Sequence, residues 1–256
     1  LVFLFSDDFN KEEYQLKIDP NLIKIVSNTY SGFVYGIQSL VQIDGAAQIS
    51  DNKWPIIEIF DQPRFAYRGF LLDISRNFYG LSKIKQIIDL MSLYKLNHLE
   101  LKLTDDEGWR LEIPDIPDLT DVGAKRGYSV DEFDRLIPMY GSGPDGGDTG
   151  NGFLSREDFI ELLVYAKQKN VTVIPQISFP SHARAAIIAM KSRTKRLSEA
   201  GDYDGAHQFS LSDPDDKSIY QSAQLYNDNA INICMESSYT FFQKVVAVSY
   251  THLRAH

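Results

Sequence analysis

Apolar and polar positions alternate or cluster over residues 14–18 (YQLKI) and 22–26 (LIKIV), with the turn formers Asp19, Pro20 and Asn21 between them. That pattern predicts a β-hairpin. Beyond it the period lengthens: Phe33, Ile37, Leu40 and Val41 recur at helical spacing within Gly32–Ile43, and Trp54–Phe60 returns to strand composition. Residues 1–62 are therefore expected to form a small α+β unit, of a size (about 60 residues) at which a domain is marginal alone.

After Pro63 strands and helices alternate. The run Gly69–Ile74 predicts a strand, and Ser82–Tyr94 a helix with Ser82 as its N-cap. A second strand is expected over Asn97–Leu103, a helix over Arg156–Lys169 capped by Ser155, and a third strand over Val171–Ile177. Strands spaced by helices imply βαβ units and a parallel sheet, which fits a doubly wound sheet and a (βα)8 barrel equally well. Gly141–Gly152 (GSGPDGGDTGNG) is expected to be a flexible connection; it has no strand directly before it and no Lys followed by Ser or Thr, so a phosphate loop is not indicated. The polar stretch 191–228 reads as a further long loop.

Composition narrows the function classes. With 43% hydrophobic and 24% charged residues the chain has the material for a packed core. A net charge of -9 argues against a nucleic-acid partner, which needs clustered Lys and Arg. Cys234 is the single cysteine, so no internal disulfide is available. No apolar run approaches membrane-spanning length, and Leu1–Phe5 is too short for a signal peptide.

In a parallel α/β architecture, ligands sit beyond the carboxyl ends of the strands. Three predicted strands end in polar clusters: Asp73-Ile74-Ser75-Arg76, then Thr104-Asp105-Asp106-Glu107-Gly108-Trp109-Arg110, then Gln176 through His182. Arg76 offers five donors suited to sugar hydroxyls, and Asp105 can accept from a hydroxyl or orient an acid. Trp109 could lie against a pyranose ring, His182 could hold a carboxyl group, and Asp106 is assigned the structural role in its pair. Taken singly, an Arg or Asp at a strand end is more often a helix cap or loop ion pair and a His more often structural; it is their convergence at one end that points to a site.

The runs Tyr67–Arg76, Leu103–Arg110, Val173-Ile174-Pro175 and Phe179–Ala183 together resemble, in order and spacing, the catalytic domain of family 20 glycoside hydrolases, the β-N-acetylhexosaminidases. The leading unit, with Gly32-Phe33-Val34-Tyr35-Gly36 entering a helix, is similar to the small domain before that barrel. The resemblance implies a partial (βα)8 TIM barrel, its first three strands in residues 63–247, preceded by the α+β domain. It implies a substrate bearing a terminal N-acetylhexosamine, no cofactor and no metal, and a periplasmic or secreted location. By resemblance Arg76 binds ring hydroxyls, and Asp105 and His182 support the catalytic acid.

The family's reaction is retaining and substrate-assisted, the 2-acetamido oxygen acting as nucleophile. Its His-x-Gly-x-Asp-Glu motif, which carries the acid, does not occur in this sequence. The family's His-x-His is Glu100-Leu101-Lys102 here, its Glu-x-Asp is Gln176-Ile177-Ser178, and Ser181 replaces a Gly. Residues 248–256 (VSYTHLRAH) read as the translation of a sequencing adapter, and the chain as an incomplete piece without hydrolase activity of its own. A non-catalytic sugar-binding barrel is the alternative, and a barrel glycosidase with an enzyme carboxylate nucleophile a third.

Overall fold

The computed structural model describes residues 1–49, 53–139, 142–144 and 150–254. Chain contacts divide them into two compact units, one made of Leu1–Phe70, Lys85–Leu99 and Tyr165–Val173, the other of Leu71–Ile84, Glu100–Val164 and the chain from Ile174 on.

The first unit opens with β1 (Val2–Phe5), β2 (Tyr14–Asp19), β3 (Leu22–Ser27), α1 (Tyr30–Ile49) and β4 (Ile57–Asp61), the strands lying in the order β1-β3-β2-β4. The expected hairpin is β2–β3, antiparallel from Tyr14↔Ser27 to Asp19↔Leu22, so Pro20 and Asn21 make the turn. Strict alternation in β2 buries Tyr14, Leu16 and Ile18 on one face. Helix α1 covers that face with Phe33, Val34 and Tyr35. A Cβ at Gly36 would come within 2.7 Å of the Ile25 side chain, so glycine there permits the close helix–sheet approach. β1 pairs parallel with β3, Val2 opposite Lys24, a partnership not foreseen in the sequence. Lys95 Nζ anchors this unit, donating to Tyr14 Oη and Ser39 Oγ and pairing with Asp61, each at 2.8 Å.

The remaining elements are β5 (Gly69–Asp73), α2 (Leu81–Leu93), β6 (His98–Lys102), the short strands β7 (Thr104–Asp105) and β8 (Gly108–Trp109), α3 (Asp118–Asp121), α4 (Arg156–Gln168), β9 (Thr172–Gln176), α5 (Arg184–Glu199), α6 (Tyr203–His207) and α7 (Glu236–Arg254). β5, β6 and β9 form a sheet in that order. Its strands run in one direction: Asn97 N donates to Arg68 O and Thr172 N to Asn97 O where the strands begin, and Ile74 N donates to Lys102 O and Leu103 N to Gln176 O where they end. The βαβ alternation is thus present, with Asp73, Lys102 and Gln176 at a common end.

Two local expectations are corrected. Ser82 is not the cap of α2 but lies inside it; Gly80 O instead accepts from Lys83 N (2.9 Å) and Ile84 N (3.3 Å). The stretch 191–228 is not all loop, since α5 continues to Glu199 and α6 follows. The cap of α4 is as expected and reciprocal: Asp158 N donates to Ser155 Oγ (3.0 Å) and Ser155 N to Asp158 Oδ2 (3.1 Å). Within the glycine-rich stretch, residues 141 and 145–149 lie outside the described residues, whereas Gly150 O accepts from Phe78 N and Gly152 N donates to Ala124 O. Residues 248–254 belong to α7, and 255 and 256 lie outside the described residues. Among the described residues no helix is long and apolar enough to cross a membrane.

Candidate functional site

At the end of β5 the chain turns on the Asp73 carboxylate. Asp73 Oδ1 accepts from Ser75 N (2.9 Å), Ser75 Oγ (2.6 Å) and Arg76 N (3.2 Å), and Oδ2 accepts from Arg76 Nη1 (2.5 Å). Burial opposes the charge on Asp73, but the bonds from Ser75 and Arg76 outweigh it and hold the carboxyl below its ordinary range. The backbone of Arg76 is fixed as well, its carbonyl accepting from Arg126 Nη1 at 2.6 Å.

Beyond β6, β7 and β8 form a minimal hairpin with Thr104 opposite Trp109 and Asp105 opposite Gly108. Asp106 and Glu107 make its tip, and all three acids are buried, each about 1% exposed. Asp105 Oδ1 accepts from Asp106 N (2.7 Å); Asp105 Oδ2 faces Arg76 Nη2 at 3.0 Å and pairs with Lys102. Asp106 collects a different set: His182 Nδ1 lies 3.1 Å from Oδ2, Asn229 Nδ2 donates to Oδ2 (3.0 Å), and Arg184 N donates to Oδ1 (3.1 Å). β9 is tied to the hairpin by Ser178, whose N donates to Thr104 Oγ1 (2.9 Å) and whose hydroxyl donates to Thr104 O (2.8 Å).

The structure thus brings Arg76, Asp105 and His182 together, with one change of partner. His182 sits 3.6 Å from Asp105 Oδ1, and its nearer contact is Asp106. Trp109 does not present the open ring expected of a sugar platform. It is 1% exposed, its Nε1 donates to Leu111 O (2.6 Å), and its ring meets Phe241 edge-on at 5.8 Å. The indole is core in this chain, paired across the β7–β8 hairpin with Thr104 and packed against Phe241.

Sequence reasoning singled out neither Glu107 nor Arg110. Glu107 is buried, lies 3.7 Å from Arg76 Nε, and is pushed up to about 7 by burial and by the neighbouring Asp105. Arg110 is fully buried and donates to Ser75 O, Ala124 O and Gly152 O at 2.9–3.1 Å. Burial and the nearby Arg126 push its guanidinium down to about 9. The only signal in the sequence was the unbroken run of three acids followed, after two residues, by an arginine.

Asp105, Asp106 and His182 place ligand-type atoms within 4.8 Å of one another, a donor set that could hold a metal ion. Arg76 and Lys102 bring positive charge to Asp105, where a cation would have to sit, and three polar groups converge on Asp106. That donor set reads as a hydrogen-bonded network and not as a metal centre. A separate cavity of about 640 Å³ is lined by Phe133, Ile187, Lys191, His207, Tyr220 and Asp228 among others, and by none of Arg76, Asp105 or His182.

Two consecutive stretches match known families. Residues 3–62 match domain 2 of glycosyl hydrolase family 20, and residues 65–252 match the family's catalytic domain. The chain belongs to glycosyl hydrolase family 20. Beta-hexosaminidase B of Pseudoalteromonas piscicida is 43% identical over 243 residues, 94% of this chain and 31% of that protein. N,N'-diacetylchitobiase of Vibrio harveyi is 43% identical over 235 residues, 91% of this chain and 26% of that protein. Among solved structures, a family 20 exo-β-N-acetylglucosaminidase from Vibrio harveyi in complex with N-acetylglucosamine superimposes with a TM-score of 0.80 at 33% identity, covering 98% of this chain and 36% of the other. The chain therefore spans roughly a third of the length of the relatives it matches. The family 20 enzymes it resembles are of TIM-barrel type, and the described residues of this chain are α/β.

Proposed function

We propose that the protein carrying this chain is a β-N-acetylhexosaminidase, hydrolysing terminal non-reducing N-acetylhexosamine residues by substrate-assisted retaining catalysis. The observation that carries this reading is the Arg76 guanidinium, held between Asp73 and Asp105 at the common end of parallel strands in a chain of this family. Those two carboxylates fix its orientation and leave N–H groups over for vicinal hydroxyls, while the side chain keeps 30% of its surface open. Asp105 and His182, joined through Asp106, form the support beside which an acid from outside this sequence would act.

In this reading residues 1–62 are the small leading domain, and 63–247 the first part of a (βα)8 barrel with β5, β6 and β9 as its strands. Leu71 and Ile174, on the two outer strands of that sheet, are 51% and 38% exposed, apolar surface that further barrel strands would cover. With no His-x-Gly-x-Asp-Glu motif in its sequence, this stretch alone is expected to have no hydrolase activity. The test is kinetic: Arg76→Ala in the full-length protein is expected to lower kcat/KM on a chromogenic N-acetylglucosaminide by about a hundredfold or more, the loss of charge-assisted bonds to the sugar. An unchanged kcat/KM would remove Arg76 from the site.

A second reading, a non-catalytic sugar-binding barrel, draws on Lys102, which pairs with Asp105 at a position where the family resemblance leads one to expect histidine. Binding of N-acetylglucosamine without turnover by the full-length protein would favour it.

A further inference from the structure

The Glu107 carboxyl is the one acid of the site with no settled partner. Its side chain is fully buried, and neither of its oxygens accepts a hydrogen bond from the described residues. Asp105 Oδ2 is in the same state, facing Lys102 and Arg76 as charges without a well-aligned hydrogen bond. Two buried carboxylates side by side, each with an unsatisfied oxygen, are unfavourable on both counts. One proton relieves the pair, because a protonated Glu107 becomes a donor and the neighbouring Asp105 carboxylate an acceptor.

We propose that Glu107 is a positioning residue for Arg76: when neutral it donates its carboxyl hydrogen to Asp105 and leaves the guanidinium to a bound sugar, and when ionised it draws the guanidinium inward and weakens that grip. The inference rests on the reading of Arg76 as the sugar-binding arginine. The geometry supplies the lever. Arg76 Nη1 is committed to Asp73 and Nη2 to Asp105, and Nε is the corner that points at Glu107, 3.7 Å away. Loss of the proton to solvent leaves a third carboxylate on a guanidinium that already has two.

Charged groups reach Glu107 from each element around it. Arg76 comes from beyond β5, Asp105 and Asp106 from the hairpin, and Arg110 from the residue after β8, while Asp73 pairs with Arg76 and Lys102 from β6 with Asp105. Burial is the largest influence and favours the neutral acid; Asp105 and then Asp106 act in the same direction, Arg76 against it. Arg110 is spent on backbone carbonyls and sits in the same buried pocket. The balance puts the ionisation at about 7, where a modest change of pH reads it out.

The experiment is calorimetric titration of the full-length protein with N-acetylglucosamine at about pH 6 and about pH 8, for wild type and Glu107→Gln. Gln is isosteric, cannot ionise, and its amide can donate to Asp105 as the neutral acid does. Wild-type affinity is expected to fall about tenfold between the two conditions, one unit of coupled ionisation, while Glu107→Gln keeps its higher affinity at both. A second measurement needs no variant: wild-type binding near pH 7, repeated in buffers of different ionisation enthalpy, should take up a fraction of a proton. Parallel pH dependence in both proteins, absence of proton uptake, or absence of sugar binding would each overturn the proposal. Hydrolysis by the same wild-type preparation is scored separately. A protein that binds with the expected pH dependence and does not turn over would sink the hexosaminidase reading and leave the role of Glu107 standing.

Discussion

Asp106 and Glu107 are neighbours at one hairpin tip, yet one accepts from three partners and the other from none. The turn points successive side chains to opposite sides, Asp106 toward the 182–184 and 229 segments and Glu107 toward Arg76. Asp106→Ala would strand the Arg184 N–H and the Asn229 amide in buried surroundings. A loss of about 3 kcal/mol is expected, seen as a lowered Tm of the full-length protein. Glu107 predicts a pH dependence of stability. Its carboxyl is raised from 4.5 to about 7 on folding, so the folded state binds the extra proton between those values. The stability it contributes is complete below the unfolded value and is lost as pH rises through about 7. Comparing wild type with Glu107→Gln over that window should show wild type losing stability, on the order of a few kcal/mol, relative to the variant. The approach of Arg76, Asp105 and His182 was legible because each closes a strand-end motif, while their part in binding sugar is a proposal. Trp109 was misjudged because residue type cannot tell which face of a two-residue strand a side chain takes. The nearer partner of His182 was hidden for a related reason, since adjacent aspartates are distinguishable only once the turn between them is known.

At the level of elements, local signals were read well where the chemistry itself is local. The β2–β3 hairpin follows from alternation flanking Asp19-Pro20-Asn21, and α4 starts where Ser155 and Asp158 exchange hydrogen bonds. Ser155→Ala should cost about 1 kcal/mol, read as faster hydrogen exchange of the first-turn amides of α4 with little change elsewhere. What escaped was non-local or masked by composition. β1 pairs parallel with β3 although residues 6–21 lie between them, and nothing in a four-residue apolar run names its partner. α5 buries Ala185 through Met190, but its second half, from Lys191, is rich in Lys, Arg and Ser and reads as loop when taken alone. Ser82 satisfied the cap preference by type, while Gly80 supplied the carbonyl that the first turn of α2 uses.

For the molecule as a whole, βα alternation fits two architectures, and periodicity could not choose between them. The motif order points instead to a family, because Arg76, the aspartate pair and His182 follow one another as is typical of the one that residues 3–62 and 65–252 both match. Net charge of -9 sits well with a neutral sugar ligand and poorly with a polyanion. In the proposed reaction the substrate's own acetamido group supplies the nucleophile while Arg76 holds the sugar. The most direct test compares kcat/KM of the full-length protein on an aryl N-acetyl-β-glucosaminide and on the matching aryl β-glucoside, which lacks the acetamido group. The account predicts a preference for the former of about a thousandfold or more, the share of the barrier that a well-placed internal nucleophile removes. Comparable rates on the two would mean an enzyme carboxylate does that work, and would contradict it.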